Sequence, residues 1–170
     1  MKPSLKVTAD FTEDFNKAVA KFKNDAVLVG VPAEDASRDL NPNNKEEAPI
    51  NNATILAINE FGSPINNIPP RPVMAIGIRD AQDSIAEQFA NAAKNVLSKG
   101  LSALTQYYER AGIIASNSVK KAINNQTEID PPAEATLKAR EAQGFKGTKA
   151  LIVTGQLRNS ITYVVNEGGL

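Results

Sequence analysis

The chain has 170 residues, and its 19 lysine and arginine residues balance its 19 aspartate and glutamate residues. This length suits a single domain, residues 1–170, and a formal net charge of zero gives no overall field that attracts nucleic acid or membranes. The absence of cysteine and histidine excludes disulfide scaffolds, thiolate zinc sites and the commonest general base. Because no apolar run reaches the about 18 residues of a membrane span and no signal peptide is evident, we expect no membrane contact and a cytoplasmic origin.

The N-terminal part predicts one helix, one strand and one polar loop. Apolar residues spaced by four, four and three positions predict a helix over residues 11–23 with one apolar face: Phe11, Phe15, Val19 and Phe22. Residues 26–31 then predict a short buried strand that Pro32 stops. Residues 33–51 carry five acids against two bases and are too polar to pack, so we predict a mobile acidic surface loop.

The central part predicts three helices. Helical spacing resumes over residues 53–61, and Gly62 stands where a helix C-cap belongs. Residues 73–76 predict a strand or an extended entry segment. The clearest helical period then begins at Ile78 and ends near Gly100, with Ile85 and Phe89 expected in the core.

A further helical stretch over residues 101–123 follows directly, and Gly112 predicts a bend within it. One continuous helix of about 45 residues would be about 68 Å long, which is more than this chain can cover. We therefore predict two amphipathic helices that fold against one another.

The C-terminal part predicts a basic, mostly irregular segment over residues 125–150, with a short helix near residues 135–142. Thr154 can cap a second short helix that ends at Ser160, and residues 161–165 predict the last strand. Helices and strands are segregated along the chain. The predicted fold class is therefore α+β, with a small antiparallel sheet packed against two or more long amphipathic helices.

Two short blocks stand out from this background. The first runs Glu60-Phe61-Gly62-Ser63-Pro64 and continues, three residues later, as Ile68-Pro69-Pro70-Arg71-Pro72. It holds four of the ten prolines within nine residues, and proline fixes φ and disfavours helix at the preceding residue, so we expect extended chain. The second opens at Pro131-Pro132 and closes on Thr154-Gly155-Gln156-Leu157-Arg158-Asn159-Ser160-Ile161.

In order and spacing, the two blocks resemble the signature of the small neck and tail-completion proteins of tailed bacteriophages. In that family a helix ending in Glu-Phe-Gly leads into an Ile-Pro-x-Arg-Pro turn and a long helix, and a Thr-Gly-x-Leu turn follows near the C-terminus. The resemblance implies a structural virion protein that completes the head–tail joint as repeated copies in a ring. It also implies residence in the virion neck or head-proximal tail, after assembly in the host cytoplasm.

The resemblance and the local charge select the candidate structural or interface residues. We interpret Glu60 as the partner of an ion pair with Arg71 across the proline turn. The full set follows: Glu60, Phe61, Gly62, Pro69, Pro70, Arg71, Pro72, Lys146, Lys149, Thr154, Gly155, Leu157 and Arg158.

Catalytic signals are weak in this sequence. Gly147-Thr148-Lys149 lacks the upstream glycine of a phosphate loop. Glu60 has no second carboxylate at helical spacing beside it, and Glu46 and Glu47 fall in the predicted loop. We therefore predict no enzyme activity, no cofactor and no metal.

The segment from Pro131 to Arg158 holds five bases against two acids, and three uses of that charge stay open. It can be plain solvated surface, it can meet an acidic surface on a neighbouring subunit, or it can bind nucleic acid. Phe145 is its only aromatic residue, so no stacking platform for single strands exists.

The partners that the resemblance implies are copies of the chain in a ring, with sixfold symmetry favoured over twelvefold, and neighbouring neck, connector or tail-terminator proteins. DNA would pass through the channel of this ring without sequence-specific binding. The alternative is a nucleic-acid-binding accessory module of phage assembly.

Overall fold

A computed structural model describes residues 12–38 and 50–168. Within these residues the chain forms six α-helices and a two-stranded antiparallel sheet, which confirms the predicted α+β class. The helices are α1 Thr12–Asn24, α2 Asn52–Phe61, α3 Val73–Lys99, α4 Ser102–Asn125, α5 Glu134–Ala142 and α6 Gln156–Ser160. The strands are β1 Ala26–Gly30 and β2 Thr162–Asn166, and short 3-10 turns occupy Ala33–Asp35 and Pro64–Asn66.

Helices α3 and α4 fold back against each other about Gly100, as predicted, and form the largest contact between elements. They approach closely at Gly77, where an added Cβ would lie 2.5 Å from the Cα of Val119. Helix α4 continues through Gly112, where the sequence predicts a bend. The missing side chain at Gly112 makes room for the ring of Tyr163, which would stand 2.2 Å from a Cβ there.

The sheet joins the two ends of the described chain. Val27 and Val29 of β1 pair with Val165 and Tyr163 of β2, and these residues alternate with Leu28 and its partner Val164. Side chains alternate between the two faces of a strand. One face therefore packs toward α4, whereas Leu28 and Val164 on the other face remain 41% and 45% exposed.

Two apolar clusters form the core along the α3–α4 pair. One joins α2, α6, the start of α3 and the end of α4, and the other joins α1, the end of α3 and the start of α4. Tyr108 is buried in the second cluster, between the rings of Phe22 and Phe89. Phe89 and Ile85 are only half-buried, which corrects the expectation that both are core. Phe15 of α1 is 51% exposed, so the predicted apolar face of that helix is only partly used.

The predicted mobile loop over residues 33–51 has ordered ends. Ala33–Asp35 is a 3-10 turn, the Asn52 N–H donates to the Ala36 carbonyl at 2.8 Å, and the Arg38 guanidinium donates to the Asn52 side chain at 3.3 Å. These contacts correct the prediction at both ends. Residues 39–49, which hold three of the five predicted loop acids, lie outside the described residues.

Candidate functional site

The first block forms a rigid connection between α2 and α3, which we call the proline joint (residues 60–72). Helix α2 ends at Phe61, and Gly62 follows as the C-cap with φ 75°, which confirms the sequence prediction. A Cβ at Gly62 would lie 2.9 Å from the Ile68 carbonyl oxygen and 3.0 Å from the Pro70 nitrogen. Only glycine combines this positive φ with so close a backbone approach.

Glu60 caps the helix that follows the joint. Its Oε2 accepts from the Met74 N–H at 2.8 Å, and its Oε1 accepts from the Ala75 N–H at 2.9 Å. Free N–H groups and the positive end of the helix dipole make a helix N-terminus favourable for a carboxylate. Residues 73–76 are the first turn of α3 rather than the predicted strand or extended entry segment. Glu60 is a capping residue rather than the ion-pair partner of Arg71.

Arg71 instead connects the two sequence blocks. Its Nε donates to the Asp130 carbonyl at 3.0 Å, and its Nη2 donates to the Pro131 carbonyl at 3.2 Å. These carbonyls stand at the opening of the second block, 59 and 60 residues along the chain. The planar guanidinium can hold two carbonyls at once in a fixed geometry. The tertiary structure therefore brings the two blocks together.

The basic segment is irregular outside α5, as predicted, and its cations bind backbone carbonyls. The Arg140 Nη1 donates to the Lys149 carbonyl at 2.8 Å, and the Lys149 Nζ donates to the Asn124 carbonyl at 2.6 Å near the end of α4. Burial, and then repulsion from the Arg71 guanidinium, lower the pKa of Arg140. Within the described residues, Arg71, Arg140 and Lys149 make no ion pair with an acid. No carboxylate therefore neutralises their charge.

Gln126 holds the same segment and carries no sequence signal that would have identified it. It is the C-cap of α4 with φ 59°. Its side-chain Oε1 accepts from the Ala150 N–H at 2.8 Å, and its Nε2 donates to the Ala150 carbonyl at 3.1 Å. This amide satisfies both backbone groups of Ala150, which is buried.

The closing turn of the second block docks on the first core cluster. Gly155, with φ 81°, is the N-cap of α6. Thr154, the predicted cap, therefore stands one position before the observed N-cap, and its Oγ1 accepts from the Gln156 N–H at 3.4 Å. Leu157 is buried in the cluster that includes Leu56 of α2. Arg158 donates from Nη1 to the Asn124 side chain at 3.1 Å, so the turn also contacts α4.

A cavity of about 240 Å³ lies between α2 and the second block. Arg38, Arg140, Asn59 and Thr154 line it together with aliphatic side chains. It therefore offers guanidinium, amide and hydroxyl groups, and no carboxylate is among the described residues that line it. Such a lining suits an anionic or hydrogen-bond-accepting group better than acid–base chemistry, which needs a proton acceptor.

The remaining predicted site residues lie on the surface or at the joint. Pro69 and Pro70 are exposed, and Pro72 is the N-cap of α3 with ψ 64°. Lys146 is exposed and makes no polar contact with the described part of the chain. Phe61 is 80% exposed, which is unusual for a large aromatic side chain.

Residues 12–38 and 50–168 contain no group of three or more acidic side chains placed to hold a metal ion. No helix in those ranges combines the length and apolar character that crossing a membrane requires.

Comparison with known proteins finds no family model, no curated protein and no solved structure that matches this chain.

Proposed function

We propose that this chain is a structural virion protein that completes the head–tail joint of a tailed bacteriophage as one subunit of a ring. The observation that carries the proposal is the contact of Arg71 with the Asp130 and Pro131 carbonyls. The two blocks that resemble the neck and tail-completion family are separated by about 60 residues of sequence, yet they form one connected unit. A shared unit gives a physical reason for both blocks to occur together in one chain.

The surface of the chain also suits a ring. A ring requires a heterologous interface, in which one patch meets a different patch on the next copy. Lys138 of the second block pairs with Glu134 at 2.8 Å. The other cations of that block form no ion pair with an acid in the described chain: Arg140, Lys146, Lys149 and Arg158. We propose that acids of the segment 33–51 on a neighbouring copy face these cations and set the register of the contact, while apolar burial stabilises it.

The test is to identify the protein in purified phage particles and to measure its copy number there. We expect mass spectrometry to detect the chain in particles separated from host protein, at six copies per particle. Native mass measurement of the isolated protein should give a monomer or a weak oligomer, since exposed charge pairs contribute only about 0–1 kcal/mol each. Absence of the chain from intact purified particles would contradict the proposal.

A nucleic-acid-binding accessory module is the second candidate. The observation that favours it is the group of Arg71, Arg140, Lys149 and Arg158, whose side chains donate to carbonyl or amide oxygens rather than to carboxylates. Fluorescence anisotropy with double-stranded DNA separates the two candidates. A phosphate-binding protein with several contacts loses affinity by orders of magnitude between about 50 and 200 mM salt. A ring subunit should show no binding of this kind.

A further inference from the structure

The proline joint presents an isoleucine to solvent. Ile65 lies in the 3-10 turn Pro64–Asn66 and is 98% exposed, and Phe61 lies four positions before it at the end of α2. Single apolar residues on a surface are normal. Here, however, two of the most exposed large apolar residues in the described chain flank one tight turn.

This turn is held in one conformation by several contacts. The Ser63 N–H donates to the Ile68 carbonyl at 2.9 Å, and the Ile68 N–H donates to the Ser63 carbonyl at 3.0 Å. The Asn66 amide donates to the Ser63 hydroxyl at 3.0 Å, and Asn67 adopts a left-handed conformation with φ 51°. A segment whose backbone already has its bound conformation loses less conformational freedom on binding. Ile65 is therefore an exposed apolar knob on a pre-organised turn.

The same chain carries an apolar groove on the outer face of its sheet. The groove has a volume of about 310 Å³, and Leu28 and Val164 lie in its floor as cross-strand partners. None of the residues that line it is charged. Its lining is Leu28, Val29, Gly30, Val31, Pro32, Thr162 and Val164. Covering this face would remove the exposed apolar surface of Leu28 and Val164 from water, which is favourable.

We propose that Ile65 of one copy enters the sheet groove of the next copy. The knob and the groove belong to one chain and are unlike, and a knob that fits a groove elsewhere on the same molecule gives a head-to-tail contact that closes into a ring or extends as a fibre. Another open cavity of similar volume in the described residues, beside Phe145, includes the charged residues Glu141 and Lys146 and suits an isoleucine less well. The inference rests on the proposed function, because a ring subunit needs such a contact.

The size of the contact agrees with assembly on virion neighbours rather than in free solution. Stable interfaces bury about 1,200–2,000 Å² in total, and one isoleucine in one groove supplies only a small part of that area. The isolated copies should therefore associate weakly, and the contact should become stable when neighbouring virion proteins hold the copies side by side.

Cross-linking between two single-cysteine variants tests the contact, since the chain has no cysteine of its own. Ile65→Cys and Val164→Cys proteins are mixed and treated with a short bismaleimide, and the products are mapped by mass spectrometry. We expect a dimer joined between positions 65 and 164, several-fold more abundant than the dimer from a mixture of Gln82→Cys and Val164→Cys. Gln82 is an exposed residue of α3 and serves as the matched control.

The same experiment in assembled particles separates this inference from the proposed function. A 65–164 cross-link in particles supports both. Suppose that the chain is present in particles. If Ile65→Cys then links to another protein, or if no 65–164 product forms either in particles or in solution, the proposed contact is overturned while the virion assignment stands. If the 65–164 product forms in solution but the chain is absent from particles, the contact is supported and the virion assignment is overturned.

A charge variant gives an independent readout. Ile65→Asp should keep the wild-type melting temperature, because the side chain is almost fully exposed, and should reduce incorporation into particles several-fold. The control Gln82→Glu adds the same charge on α3 and should behave like wild type. Equal incorporation of Ile65→Asp and Gln82→Glu would overturn the proposal.

Discussion

At the start of α3, a side chain from the preceding helix satisfies two backbone N–H groups. Glu60 reaches across the proline joint and accepts hydrogen bonds from the Met74 and Ala75 N–H groups. The residue at the N-cap position itself is Pro72, which makes no side-chain cap. Without the carboxylate, the first turn of α3 would depend on water for these donors.

We expect Glu60→Ala to lower the free energy of unfolding by about 1–2 kcal/mol, which is the usual range for loss of a helix cap. Glu60→Gln should cost less, because one amide oxygen can still accept a hydrogen bond. Urea denaturation followed by circular dichroism measures both values. The control is Glu87→Ala, since Glu87 is exposed on α3 and has no polar contact within the described chain. Equal stability of Glu60→Ala and Glu87→Ala would contradict the capping role.

At the scale of elements, the α3–α4 pair depends on small residues where backbones and rings come close. Gly77 allows α3 to lie directly on Val119 of α4, and Gly112 allows Tyr163 of β2 to lie on α4. Glycine inside a helix costs about 1 kcal/mol relative to alanine. The close packing at these two positions accounts for its presence.

Gly77→Ala should therefore destabilise the protein despite the better helix propensity of alanine. The added Cβ would lie 2.5 Å from a backbone atom of Val119, so the helices must move apart, and overpacking of this kind costs about 1–3 kcal/mol. Differential scanning calorimetry should show a lower melting temperature. Gly30→Ala is the control, because nothing lies within 4 Å of a Cβ there. A raised melting temperature for Gly77→Ala would show that the helices do not pack as closely as this.

At the scale of the whole molecule, the three lysines of the basic segment differ in their contacts, and Lys138 forms an exposed ion pair with Glu134. Lys149 donates to the Asn124 carbonyl and belongs to the fold. Lys146 is exposed and makes no polar contact within the described residues, so its charge is available to a neighbouring subunit. Only Lys146 therefore tests the assembly role of the segment without disturbing its structure.

We expect Lys146→Glu to keep wild-type stability within about 0.5 kcal/mol, as exposed surface substitutions usually do, and to reduce incorporation into phage particles. The effect should weaken as salt is raised, because exposed charge pairs are screened. Lys94→Glu on the exposed face of α3 is the charge-matched control. Incorporation of Lys146→Glu at the wild-type level across a range of salt would rule out charge pairing through this residue and leave the virion assignment open.

The sequence by itself determined the local elements of this protein. The apolar period predicted α2 and the α3–α4 pair, and the β-branched runs predicted both strands. Gly62 was identified as a C-cap because its conformational freedom is a property of the residue itself. Such features depend on neighbours a few positions away, and the chain carries them wherever it folds.

Only the tertiary structure determined which groups the residues of the two blocks contact. The first turn of α3 is helical because its cap comes from Glu60, 14 and 15 residues earlier. Arg71 and Gln126 bind backbone groups 59 and 24 residues away. These hydrogen bonds form only where the chain folds back on itself, and neither residue spacing nor propensity encodes that position. For the same reason, the sequence could mark Glu60 and Arg71 as important while giving both of them the wrong partner.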